Sequence, residues 1–184
     1  MPSIRTLSTR ARALTAAPVF LTLGLVMSGC NTGLPPPCPP VRVDNATATM
    51  TKFGDGASRD LSDVEYQVEI TGFEGECVFS GEKVEVLLDV DFRVTSGSSA
   101  QSGPISFYYF AAIPQFFPQS TGKKVFEIQT QLTGGATNPV SLTESDVSIE
   151  IQLSKDRPAA SFDVYLGLQL SDDQLEFNRQ RLNR

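Results

Sequence analysis

The sequence predicts an all-β domain: an antiparallel β-sandwich of immunoglobulin-like or Greek-key type, with a small β-barrel as the alternative. Three observations predict it. From Val41 onward, apolar and polar residues alternate with a period of two. Clusters of Gly, Ser, Asp, Asn and Pro separate the alternating runs. About seven such runs fit into roughly 130 residues, which is a spacing typical of a sandwich.

The predicted strands follow one another along the chain. In order, they are VRVDNATATMTKF, VEYQVEI, VEVLLDVDFRV, ISFYYFAAI, FEIQTQL, VSIEIQL and FDVYLGLQL. The third is the clearest, because every second residue from Val84 to Val94 is apolar and most residues between them are charged. In the first, the alternation of apolar and polar residues is interrupted at Asp44 and Asn45, which predicts a bulge. The segment GFEGE, residues 72–76, predicts a turn.

A single helix is predicted at the C-terminal end, over residues 171–182. Ser171 with Gln174 forms a capping-box pattern, in which each side chain satisfies a backbone N–H of the other residue. Acidic residues follow the cap, and arginines occupy the last turn, as the helix dipole favours. We expect this helix to pack across one end of the sandwich, and the alternative is a docking element for a partner.

The first 29 residues have the composition of an export signal. Three arginines and no acid precede an apolar run from Ala13 to Met27. This run is too short for a spanning helix, which needs roughly 20 residues. Without this leader the net charge falls from −6 to −9. A domain this acidic is predicted not to bind nucleic acid, because phosphate repels it.

The hexapeptide LVMSGC, which ends at Cys30, resembles the lipobox of bacterial lipoproteins. The resemblance implies that residues 1–29 are a lipoprotein signal peptide and that Cys30 becomes the lipidated first residue of the mature chain. Several acyl chains hold a protein on a membrane durably, whereas one holds it marginally. Asn31 stands where an aspartate is typical of retention at the inner membrane. The resemblance therefore implies an outer-membrane protein that faces the periplasm.

Residues 30–40 then form a short proline-rich tether, and residues 41–184 form the sandwich domain. Export would place the chain in an oxidising compartment. If Cys30 is lipidated, as the resemblance implies, Cys38 and Cys77 remain to form a disulfide. A reactive thiol or a metal site at these cysteines is the alternative.

Composition also restricts the chemistry of the domain. The chain has no histidine, which excludes Ser-His-Asp and Cys-His catalysis and removes the commonest metal ligand. We predict no cofactor and no metal. Asp89 and Asp91 share the polar face of one predicted strand and are candidates for acid–base chemistry or calcium binding, although a solvated face explains them as well. The loop with Asp55, Asp60 and Asp63 is a second calcium candidate that turn chemistry also explains.

The segment ISFYYFAAIPQFFP, residues 105–118, is apolar on both faces of its predicted strand. Either the C-terminal helix or a loop covers the second face, or that face is an exposed patch that binds a protein, a glycan or a lipid surface. The candidate binding patch is formed by Tyr108, Phe110, Phe116 and Phe117.

The order of these segments is similar to that of small uncharacterised envelope lipoproteins of Gram-negative bacteria. The stretches that carry the resemblance are CPPVRVDNATATMTKF, DVEYQVEITGFEGEC, VEVLLDVDFRV and LQLSDDQLEFNRQR. It implies a membrane anchor and the fold, and it transfers no catalytic residue. We therefore expect a non-enzymatic binding or scaffolding domain with an envelope protein as partner. An envelope hydrolase that uses surface carboxylates, or a glycan-binding module, is the alternative.

Overall fold

A computed structural model describes residues 35–54, 59–135 and 138–183 and confirms the β-sandwich with a C-terminal helix. Eight strands and one α-helix make up the domain, and single 3-10 turns lie at 61–63, 114–116, 120–122 and 159–161. The elements are β1 (Val41–Val43), β2 (Thr49–Phe53), β3 (Val64–Ser80), β4 (Lys83–Ser96), β5 (Gly103–Ala112), β6 (Lys123–Leu132), β7 (Val140–Gln152), β8 (Val164–Leu168) and α1 (Asp172–Leu182).

The strands form two four-stranded sheets. The first sheet has the order β1-β8-β5-β6, and the second has the order β2-β3-β4-β7. All neighbouring strands are antiparallel except β1 and β8, which pair in parallel. The open order of both sheets leaves four edge strands: β1 and β6 in the first sheet, and β2 and β7 in the second.

The inner faces of the two sheets pack against each other. The even-numbered residues from Val84 to Val94 on β4 are all buried, as the alternation predicts. Phe92 on β4 contacts the rings of Phe107 and Tyr109 on β5, with ring centroids 5.5 and 5.0 Å apart. These tilted ring pairs join the two sheets at the centre of the core.

The first predicted strand is two strands in different sheets, which raises the number of strands from seven to eight. β1 ends at Val43, and the chain then turns, with the N–H of Thr47 donating to the carbonyl of Asp44 at 3.0 Å. The hydroxyl of Thr47 also donates to the Asp44 carboxylate at 2.9 Å. The interruption of the alternation therefore marks a crossover between sheets, and the predicted bulge is wrong because this Asp–Thr turn ends the strand.

The turn predicted for residues 72–76 is also wrong, since these residues continue β3. The register of β3 against β4 shifts between Ile70 and Gly72, so one glycine lies at a bulge. A side chain at Gly75 would meet Leu88 and the carbonyl of Leu87, so the second glycine permits close approach of β4. The hairpin turns instead at Gly81, whose φ is +60°.

Cys38 and Cys77 are bonded to each other, with their Cα atoms 5.9 Å apart. Cys38 lies shortly before β1, and Cys77 lies on β3. The bond therefore connects the start of the domain to the second sheet. Pro39 is buried, and the carbonyl of Pro40 accepts from the N–H of Val164 at 2.9 Å. The chain therefore already belongs to the body of the domain at residues 38–40.

Helix α1 lies along the edge strand β2. Ser171 and Gln174 form the predicted capping box. The amide of Asn178 donates to the carbonyls of Ala46 and Thr49 at 2.9 and 2.6 Å, and the amide of Gln174 donates to the carbonyl of Thr51 at 3.3 Å. Gln174 and Asn178 are four residues apart, which is a rise of about 6 Å along the helix. Thr51 and Thr49 are two residues apart, which is a rise of about 6.6 Å along the strand. The spacing of the two amides therefore matches that of alternate carbonyls on the strand.

Candidate binding face

The outer face of the first sheet carries an exposed apolar surface. The register of β5 against β6 places Tyr108 opposite Glu127 and Phe110 opposite Val125, with all four side chains directed away from the core. Tyr108 is 44% exposed and Val125 is 48% exposed. Tyr165 of β8 lies opposite Ala112 on the same face. We call this surface the outer face.

Phe110 lies flat on the outer face because its neighbour on β8 has no side chain. Gly167 is the cross-strand partner of Phe110, and a Cβ atom on Gly167 would overlap both the Phe110 ring and the hydroxyl of Thr47. The ammonium of Lys123 lies 4.3 Å from the centre of the Phe110 ring and donates to Gln169 at 2.6 Å. The ring is therefore half-buried between the sheet and a cation.

Tyr108 is exposed beside an acidic neighbour. The negative charge of the Glu127 carboxylate, together with a hydrogen bond to it, raises the pKa of the Tyr108 phenol above its ordinary value. Tyr108 and Glu127 are direct cross-strand neighbours, so their side chains lie beside each other on the outer face.

The structure separates Phe116 from Phe117, the other two residues of the predicted patch. Phe116 packs inward on Phe162, with ring centroids 5.2 Å apart, so it does not belong to the exposed surface. Phe117 is 84% exposed. The loop between β5 and β6 that carries it is closed by a hydrogen bond from Ile113 to Gly122, at 2.8 Å.

The C-terminal helix does not cover the second face of β5, although the sequence allowed that arrangement. The helix lies along β2, where Phe177 packs edge-on against Phe53 at 5.4 Å. β2 belongs to the second sheet, whereas Tyr108 and Phe110 lie on the outer face of the first. Among the described residues, the cover of Phe110 is local and comes from Thr47 and Lys123.

Asp89 and Asp91 each accept a hydrogen bond from the neighbouring strand β7. The hydroxyl of Thr143 donates to Asp91 at 2.7 Å. The N–H of Asp146 donates to Asp89 at 3.2 Å, at the point where φ of Asp146 is +60° and the register of the two strands shifts. The two carboxylates thus stabilise strand pairing and a bulge.

The remaining sequence candidates contribute little to a site. Asp60 lies at the N-cap of a single 3-10 turn, and Asp63 is the last residue of that turn. Asp55 and Cys30 lie outside the described residues. Two surface depressions have volumes of about 380 Å³, and both are open to solvent. One is lined by the acids Glu74, Glu76, Asp89 and Asp146. Within the described ranges, no three His, Cys, Asp or Glu side chains are grouped as metal ligands would be.

The β6 half of the outer face, namely Lys123, Val125 and Glu127, was not predicted from the sequence. A usable signal was present, because Val125 and Phe126 are adjacent apolar residues in an alternating run. Two such neighbours lie on opposite faces of a strand, so one of them must face outward.

Comparisons with protein-family models, with curated proteins and with solved structures give no match to this chain. In the part of the chain that the structure describes, no helix is long and apolar enough to cross a membrane.

Proposed function

We propose that this chain is an exported lipoprotein of the bacterial envelope, anchored through Cys30 at the outer membrane and facing the periplasm. In this proposal the sandwich domain catalyses no reaction and binds a second envelope protein. The observation that carries the binding role is Phe117, which is 84% exposed on a loop that is closed by backbone hydrogen bonds.

The geometry of the Phe117 loop supports a recognition role. The N–H of Phe117 donates to the carbonyl of Pro114 at 3.0 Å, and Gln119 donates to Phe116 at 2.8 Å. A loop that is already ordered loses little conformational entropy when its aromatic side chain enters a pocket. Aromatic residues, Phe among them, are enriched at protein–protein interfaces.

The charge of the domain supports a protein partner of a particular kind. Without its leader the chain has a net charge of −9. Association of such a domain is fastest with a surface of opposite charge. The partner we propose therefore has an apolar pocket that accepts the Phe117 ring, with basic residues around that pocket.

Two features support export and anchoring. The sequence LVMSGC resembles a lipobox that ends at Cys30. The other two cysteines are bonded to each other, which fits an oxidising compartment such as the periplasm.

The binding role is tested by photo-cross-linking in intact cells. A photoreactive amino acid replaces Phe117 in one variant of the full chain and Leu61, which is 80% exposed on a different segment, in a matched control. We expect one reproducible protein adduct from position 117 and none of that mass from position 61. Equal adducts from both positions, or sugar-containing adducts alone, would contradict the proposal.

The anchor has a separate test, so the two parts of the proposal fail independently. Cys30→Ser removes the thiol that the lipid would use. We expect the variant to leave the membrane fraction, while the unchanged chain stays there and gains the mass of its acyl chains. Equal membrane retention of the two chains would refute lipidation at Cys30 and would leave the cross-linking result intact.

A further inference from the structure

Three of the four edge strands are protected against pairing with another strand. β1 has only three residues and follows Pro39 and Pro40, which have no N–H. The side chains of α1 occupy the edge of β2. β7 is interrupted by its bulge at Asp146, and the ammonium of Lys124 donates to the carbonyl of Ser148 at 3.2 Å. Proteins use such devices to prevent association at sheet edges.

The fourth edge, β6, has none of these devices along its backbone. Its ten residues pair with β5 without a shift of register. The N–H of Ile113 donates to the carbonyl of Gly122, and this pair continues the register of β5 and β6. Hydrogen-bonded pairs alternate with non-hydrogen-bonded pairs along an antiparallel ladder. The even-numbered residues of β6 are therefore the ones that bond to β5. On the other side of β5, Gln169 donates to the carbonyl of Tyr108, which agrees with this phase.

The odd-numbered residues of β6 therefore direct their N–H and C=O groups away from the sheet. These residues are Lys123, Val125, Glu127, Gln129 and Gln131. The N–H of Lys123 donates to the carbonyl of Ser120 in the preceding 3-10 turn. In residues 35–54, 59–135 and 138–183, no strand and no side-chain donor pairs with the other groups. A straight edge of this length is a surface to which an extended strand can add.

The side chains on this edge complement a copy of themselves in one antiparallel register. If a two-fold axis passes beside Val125, the two valines lie opposite each other. Lys123 then lies opposite Glu127 of the second copy, twice, and its ammonium exchanges Gln169 of its own chain for that carboxylate. Opposite charges and apolar pairs across strands are stabilising. We propose that β6 pairs with β6 of a second copy of this chain, which joins the first sheets of two domains into one continuous sheet.

Neighbouring registers lack this complementarity. An axis beside Glu127 would place the two Glu127 carboxylates opposite each other, which is destabilising. An axis beside Gln129 would place Val125 beyond the end of the partner's strand, opposite Thr133. The valine register is therefore the one that joins opposite charges and also covers an apolar side chain that is 48% exposed in the single chain.

The proposed dimer also enlarges the outer face. Glu127 stays in contact with Tyr108 within its own chain, because a residue in a sheet has a neighbour on each side. The exposed apolar surfaces of the two copies then meet at the axis. This inference goes beyond the proposed function and does not depend on it, since pairing of β6 needs neither a lipid nor a foreign partner.

A cysteine cross-link tests the register in the full chain. Paired strand residues at the axis have Cα atoms about 5.5 Å apart, which a short bismaleimide or a disulfide spans. Val125→Cys should give a dimer on a denaturing gel. Gln131→Cys, on the same edge but far from the axis, should give at least about tenfold less. The unchanged chain is the control for cross-links through Cys30, because the other two natural cysteines, Cys38 and Cys77, are bonded to each other.

Charge exchange tests the pairing without a cross-linker. Glu127→Lys and Lys123→Glu, each made alone, should raise the dissociation constant of the dimer about tenfold, as measured by analytical ultracentrifugation. The double exchange should restore it, because the opposite charges are again paired. A monomer at all concentrations with no Val125→Cys dimer, or cross-links to a different protein only, would overturn the proposal. Equal cross-linking of the two cysteine variants would also overturn it.

Discussion

Replacement of Asn178 by alanine should destabilise the domain much more than replacement of an exposed residue of the same helix. Asn178 is 8% exposed, and its amide donates to two backbone carbonyls, those of Ala46 and Thr49. Each hydrogen bond contributes about 1 kcal/mol, and each carbonyl that stays covered without a donor costs further free energy. We therefore expect a loss of about 2–4 kcal/mol in the free energy of unfolding.

The assay is urea denaturation, with the slope of the transition compared between variants. Gln180→Ala is the matched control, since Gln180 lies on the exposed side of the same helix and should change stability by less than about 0.5 kcal/mol. Asn178→Asp should be at least as harmful as Asn178→Ala at neutral pH, because a carboxylate cannot donate to the carbonyls. If Asn178→Ala matched the Gln180 control, the two hydrogen bonds of Asn178 would not contribute to stability.

Three further predictions concern the disulfide, a core tyrosine and the β5–β6 loop. Cys38→Ser with Cys77→Ser opens a loop with a sequence separation of 39 and should lower the free energy of unfolding by about 4 kcal/mol, as measured by thermal or urea unfolding. A loss below about 1 kcal/mol would contradict the expected effect of the bond on the unfolded chain. Tyr109→Phe should leave stability unchanged or raise it by up to about 1 kcal/mol, because the hydroxyl is buried without a partner. A clear loss of stability would indicate a hidden partner for that hydroxyl. Phe117→Ser should change the melting temperature little, whereas Phe116→Ser should cost about 3 kcal/mol; equal effects would contradict the placement of the two rings.

Alternation of side chains was enough to predict the sandwich, because a period of two is a local property of each strand. The helix was predictable for the same reason, since Ser171 and Gln174 lie within one turn of each other. The crossover at Asp44 and the full length of β3 could not be predicted in this way. Both depend on which sheet a segment joins, and the glycines at 72 and 75 fit a bulge and a close approach as well as they fit a turn.

The candidate site was predicted only in part. The apolar residues on both faces of β5 correctly indicated that Tyr108 faces outward. They did not distinguish Phe116 from Phe117, because Phe116 ends a 3-10 turn and Phe117 follows it, so no strand alternation assigns the two rings to a side. The pairing of Val125 with Phe110 depends on sheet register, which is a long-range property. The role of Asn178 is of the same kind, since its two acceptors are about 130 residues away.

The bond between Cys38 and Cys77 also determines where a mechanical load would enter the domain. Tension applied from the N-terminal side of residue 38 passes through the sulfur atoms to β3, and it bypasses residues 39–76. The three-residue pairing of β1 with β8 is then not pulled apart first, although it is the shortest pairing in the first sheet. The load instead reaches a strand that pairs with β4 along most of its length, so the domain is attached at one of its most extensively paired segments.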